Sequence, residues 1–229
     1  MRGMVSKINK LSKAEFYKLF HSIPYWVLLV FSLGMGGLRG LMAISRGNFV
    51  TGYEMYAMEL SPDLIYAVLI TAFMVTYVCD EFSNCTFSMS LFCGFPRGMV
   101  FKSKALVFFL GVILLIALPV TVATGLVTLG NGFGVLLDNS VAMDLAMRFL
   151  CYNLRYLFLG SFGLLTASIV RDRTGSFGVS LAGMAVLIFV AGNRWEEPEF
   201  IRKFVPVCTF GIAGLSAAAT FLFMKQDLK

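Results

Sequence analysis

The sequence predicts an all-α integral membrane protein with six transmembrane helices, and three observations carry that reading. Hydrophobic residues make up 58% of the 229 positions and charged residues only 14%, where a soluble domain is nearer a quarter charged. Mean hydropathy is +0.81, which is hard to reconcile with a water-facing surface. The apolar residues fall in continuous runs close to the ~20 residues a helix needs to cross the hydrocarbon core. A transmembrane barrel would alternate instead, so helices satisfy the backbone.

The elements follow in order. Over residues 5–20, Val5, Ile8, Leu11, Phe16, Leu19 and Phe20 share one half of a helical wheel, and Lys7, Lys10, Lys13 and Lys18 the other. That is an interfacial helix on an anionic leaflet, set against the plainer reading of a frayed basic tail. Ser12-Lys13-Ala14-Glu15 fits a capping box and would begin the ordered helix only there. The stretch has no small-residue cleavage site after an early apolar core, so it does not read as a secretory signal. The spans are predicted at 22–43, 63–79, 105–129, 141–170, 177–191 and 204–224, with a kink at Pro119. Ser61-Pro62-Asp63 reads as a helix start, with cap, proline and first-turn acid. Outer loops fall at 44–62, 130–140 and 192–203, and GNGFG (130–134) reads as a flexible turn. The chain, 1–229, is one membrane domain without repeats.

Even parity puts both termini on one side. Of the nineteen Lys and Arg residues, twelve fall on the side of the termini, four on the opposite side and three inside spans. The positive-inside rule then makes the termini, and the insert between spans two and three, cytoplasmic in a multi-pass membrane protein. The formal charge of +6 is thereby assigned to the membrane face rather than to nucleic acid.

Catalytic constellations are missing from the sequence. It has no G-x-x-x-x-G-K-[ST], no H-E-x-x-H, no G-x-S-x-G and no acid cluster inside a predicted span, so no catalytic residue is expected. The five cysteines form no C-x-x-C pair and His21, the one histidine, lies far from them and reads as interfacial; no metal site is expected. What remains is charge placed in the membrane, which is costly and is usually paired or functional. Arg39 lies near the outer end of span one, where it can snorkel. Arg148 can pair with Asp144, four residues before it. Arg155, near mid-span, has two readings: facing a polar path or a second subunit, or making a structural bond to an acid or to helix carbonyls. Gly36 and Gly40 have the spacing of a close helix–helix contact, a candidate dimer seam.

The insert, CDEFSNCTFSMSLFCGFPRGMVFKSK (79–104), is the polar exception between two apolar runs. Ser83 or Asn84 can cap a short helix that Gly94 and Pro96 end, with Phe87 and Leu91 on one face at i, i+4; the alternative is a plain interfacial turn. Here the chain resembles the permease family of type-2 ABC exporters, whose first cytoplasmic loop has the pattern E-[FY]-x-x-G-T-x-x-x-x-L-x-x-x-x-x-R followed by a Lys entering span three. Glu81, Phe82, Thr86, Leu91, Arg97 and Lys104 match it, and Cys85 stands where Gly is usual. The opening LSKAEFYKLF (11–20) is similar to the elbow helix of such permeases.

The resemblance implies that the insert is a coupling helix docking on a separate ABC ATPase subunit, which would carry ATP and Mg; this chain would hold no cofactor and would not itself be an enzyme. Glu81 would fix the loop at the end of span two, Phe87 and Leu91 would enter the ATPase groove, and Arg97 and Lys104 would hold the loop at the headgroups. The partners implied are the ATPase, a second permease copy or a sister permease, and membrane lipid. A bacterial exporter of an antimicrobial peptide, drug or lipid-like substrate is the function expected. The alternative is a non-transporting scaffold or sensor that recruits a cytosolic partner.

Overall fold

In the computed structural model the described residues are 2–45, 50–61, 63–83, 95–136, 138–170, 172–191 and 198–225, and they form helices and short connections with no strand among them. In chain order these are α1 (Arg2–Phe20), α2 (Ile23–Ser45), α3 (Gly52–Glu59) and α4 (Leu64–Met74). A π-helical segment (Val75–Cys79) and a last turn (Asp80–Ser83) prolong α4. Then follow α5 (Arg97–Asn131), α6 (Asn139–Val170), α7 (Arg173–Ala191) and α8 (Pro198–Lys225).

Among the described residues, five helices are long and apolar enough to cross a membrane: Ile23–Ser45, Leu64–Phe82, Arg97–Asn131, Asn139–Val170 and Val205–Lys225. The fifth expected span, 177–191, coincides with α7, whose apolar part, Arg173–Phe189, is shorter than the rest. The third span begins at Arg97, eight residues before the expected 105. Hydropathy marks where a helix meets lipid, whereas the helix itself runs on through Arg97–Lys104. Pro96 opens it at φ −65° and ψ 138°, since proline suits a helix entry where no backbone N–H is needed.

The long helix α5 is the hub, packing against α1, α2, α3, α4, α6 and α8. Its buried positions, among them Phe101, Phe108, Val112, Leu115 and Ile116, interlock with Tyr25 of α2 and Ile70 and Phe73 of α4. Phe73 and Phe108 stack at 5.2 Å. The other side of α2 stays apolar and open, with Ile23, Val27, Val30, Phe31, Leu38 and Leu41 all exposed. An apolar stripe of that length belongs against lipid.

Gly36 and Gly40 serve a seam inside the chain. A Cβ on Gly36 would lie 2.5 Å from the Pro119 carbonyl oxygen, and one on Gly40 3.2 Å from that of Ala123. Ser32 adds a 2.6 Å bond to the Leu115 carbonyl on the same seam. The α2–α5 contact thus uses the close approach that the sequence offered as a dimer surface. The helix α5 runs on through Pro119, the position expected to kink.

Two further boundaries differ from expectation. Helix α1 starts at Arg2 and passes through Ser12-Lys13-Ala14-Glu15, so that tetrapeptide is not a helix start. Asp63, not Ser61, caps α4, accepting from the Ile65 N–H at 3.0 Å. The 44–62 stretch, expected as an outer loop, contains a helix, α3, that hydropathy did not mark. It opens with a capping box, in which the Glu54 N–H donates to Thr51 Oγ1 at 3.4 Å and the Thr51 N–H donates to the Glu54 carboxylate at 2.9 Å. Backbone bonds from Gly52 and Tyr53 to the Gly132 and Phe133 carbonyls tie α3 to the 130–134 turn. There Gly132 and Gly134 adopt φ of 81° and 83°, values that glycine takes without strain.

Candidate functional site

Ionised groups collect at both ends of α4. Near the α4–α5 connection, Lys104 of α5 is 2% exposed and lies 2.8 Å from Glu81 Oε2 and 3.3 Å from Glu15 Oε2. Lys18 spans the same two carboxylates at 2.9 Å and 3.3 Å. Tyr77 donates its hydroxyl to Glu15 at 3.0 Å and offers its ring to the Lys104 ammonium at 4.1 Å. Two acids and two lysines from α1, α4 and α5 thus close a neutral, mostly buried network. Breaking the Lys104–Glu15 pair would strand a buried charge, which ties the register of α5 to that of α1.

Each member is placed by local structure. Leu11, Glu15 and Leu19 are the buried positions within residues 11–20 of α1, so Glu15 is one acid in the middle of an apolar i, i+4 stripe. Lys104 sits likewise between Val100 and Phe108, both buried. The π-helical segment precedes Asp80 and Glu81 and, by adding a residue to the turn, shifts their faces relative to a continuous α-helix. Asp80 consequently pairs with Arg173 of α7 at 2.8 Å, while Glu81 points to Lys104. Burial pushes the Glu15 carboxyl up, but Lys104, Lys18 and Tyr77 outweigh it and hold it below the usual carboxylate range. Burial would lower Lys18, and its bonds to Glu15 and Glu81 raise it above an ordinary lysine.

The expectation that Lys104 reaches the headgroups is corrected by this geometry: the ammonium is buried because two carboxylates satisfy it. Arg97 opens α5 and is half-buried. Phe82 meets Phe223 of α8 edge-on at 5.9 Å, and Phe101 stacks on the other side of Phe223 at 5.2 Å. Both flanks of the 84–94 segment are therefore anchored in the bundle. Thr86, Phe87 and Leu91, with Cys85, lie outside the described residues.

At the opposite end of α4, Arg39 of α2 bonds Glu59 of α3 at 3.1 Å and also pairs with Asp63. Tyr66 donates to Glu59 at 3.1 Å. Arg39 therefore holds α2, α3 and α4 together. Glu59 is 3% exposed, and burial pushes its carboxyl above the usual range despite Arg39 and Tyr66. Arg155 is 4% exposed and donates to the Leu60 carbonyl at 2.8 Å. Its guanidinium also lies 5.3 Å and 5.1 Å from the Tyr152 and Tyr156 ring centres. Arg148 pairs with Asp144 at 2.8 Å on an exposed face, and Tyr53 of α3 donates to Asp144 at 3.2 Å.

Three residues central to these networks are not assigned to them from sequence: Glu15 and Asp63 enter there only as helix-start residues, and Glu59 does not enter. The signal for Glu15 was present, since an acid at i+4 from Leu11 and i−4 from Leu19 cannot face water when both leucines are buried. Glu59 follows Met55 by four in the same way. Among the described residues no group of three or more His, Cys, Asp and Glu side chains could hold a metal ion. No protein-family model matches this chain, and no curated protein matches it.

Proposed function

We propose that the chain is the membrane-spanning subunit of an ATP-driven exporter of the type-2 ABC permease kind, powered by ATP and Mg on a separate ATPase subunit. In this reading α7 also crosses, as the fifth of six spans, α1 is the elbow helix on the inner leaflet, and both termini are cytoplasmic in a bacterial plasma membrane. The 84–94 segment is the coupling helix, with Phe87 and Leu91 entering the ATPase. A second copy or a sister permease completes the membrane unit, and the substrate class is a peptide, drug or lipid-like amphiphile.

The observation that carries the reading is the Lys104 bridge. Glu81 and Lys104 flank the insert in sequence, meet at 2.8 Å, and share Glu15 of α1. A force applied to the insert would reach α1, α4 and α5 together, as a coupling element requires. The absence of a P-loop in the sequence fits a motor on another chain.

The test is purification of the tagged chain from its native host in mild detergent, followed by an assay for co-purifying ATPase activity. The expected result is an ABC ATPase that is lost from the Phe87→Asp/Leu91→Asp double variant while the helical content is kept. Recovery of the intact chain without ATPase would favour the scaffold reading.

A further inference from the structure

Helices α5 and α8 pack together and leave between them an open groove of about 660 Å³. They meet where Met224 Sδ would lie 3.1 Å from a Cβ on Gly98. Lys102 lines the groove together with Leu106, Phe109, Ile113, Ala217 and Thr220. The walls are almost wholly apolar, and Lys102 is the ionised side chain among the lining residues. Unlike Lys104 two positions later, Lys102 is exposed and has no acid within ion-pair distance among the described residues. Lys225, which follows Met224, closes α8 at the same end.

The dimensions select an occupant. From Lys102 to Ile113 is eleven residues, or about 16 Å of helix. That is half of the ~30 Å hydrocarbon core, the depth of one leaflet. A groove that starts at an exposed ammonium, runs apolar for one leaflet and opens sideways matches a phospholipid: acyl chain between the helices, negative headgroup on Lys102. A second copy of this chain would need apolar cover across the whole membrane and gains nothing from an ammonium at the rim. We infer that the α5–α8 groove is a binding site for one anionic phospholipid, with Lys102 selecting the headgroup and Ala217 leaving room for the acyl chain. This inference stands apart from the exporter reading.

The test uses the purified full chain equilibrated in mixed micelles with equimolar phosphatidylglycerol and phosphatidylcholine of identical acyl chains. Retained lipid is read by native mass spectrometry. The expected result is one phosphatidylglycerol held in at least fivefold preference over phosphatidylcholine. Lys102→Glu should abolish the preference, and Ala217→Phe, on the open face of the groove, should expel the lipid while circular dichroism stays unchanged. Soluble glycerol phosphate should not compete. Equal retention of both lipids, or a preference that survives both variants, would mean ordinary annular lipid and would overturn the inference. A lipid-free dimer that Ala217→Phe dissociates would overturn it in favour of a second copy.

Discussion

Replacing Lys104 by Met should destabilise the protein by about 3 kcal/mol. Met keeps the length and apolar stem of lysine but deletes the ammonium. Two carboxylates then lose a partner: Glu15, whose side chain is 4% exposed, and Glu81, at 18%. Removing one partner of a buried pair costs about 3–5 kcal/mol because the other charge is left uncompensated. The low end applies here, since Lys18 still reaches both acids at 2.9 Å and 3.3 Å.

The pH dependence gives a second readout. Glu15 lies below its ordinary value in the folded state, so it contributes stability above its unfolded pKa of about 4.3. That stability is lost as pH falls through the lowered folded value. Deleting Lys104 removes the strongest attraction holding Glu15 low, so the acid limb of the stability profile should flatten. Glu15→Gln in the Lys104→Met background should recover part of the loss, a coupling visible in a double-mutant cycle. The assay is reversible unfolding in mixed micelles followed by far-ultraviolet circular dichroism. A loss below about 1 kcal/mol for Lys104→Met, with purely additive behaviour alongside Glu15→Gln, would refute the argument that the network is a buried, mutually dependent unit.

Gly36→Ala should destabilise by about 1–3 kcal/mol because its Cβ would strike the Pro119 backbone, whereas Gly37→Ala, with nothing within 4 Å, should be neutral or slightly stabilising; paired unfolding curves decide it. Glu59→Gln should be milder than Arg39→Leu, because burial already favours the neutral Glu59 carboxyl while loss of Arg39 strands both acids. With its folded pKa raised, Glu59 contributes stability below that value which is lost as pH rises through it, so the glutamine variant should remove that alkaline-going decline from a pH titration of the unfolding midpoint. Arg155→Leu should cost about 1–3 kcal/mol by leaving the Leu60 carbonyl without its donor, measured in the same unfolding assay. In sealed, oriented vesicles, an impermeant maleimide should label Cys85 from the cytoplasmic side alone, and labelling from outside would overturn the topology.

Composition and run length determined the class of this protein and the approximate place of its apolar helices, because a bilayer imposes a near-fixed length of apolar helix. The i, i+4 spacing also sufficed for Asp144 and Arg148, a local pair. Helix ends were less legible: α5 extends through Lys104 and α3 forms in a stretch taken for loop, since hydropathy reports contact with lipid rather than backbone hydrogen bonding. Long-range pairing decided the rest. Glu15 and Lys104 are 89 residues apart, and only packing α1 against α5 reveals that an acid and a base, each embedded in an apolar stripe, satisfy one another. The same holds for Gly36, whose spacing announced a close helix neighbour but whose partner, the Pro119 backbone, emerged from the fold. A sequence records which residues cannot stand alone in an apolar setting; the tertiary structure chooses their companions, because that choice depends on distances across helices that no local pattern encodes.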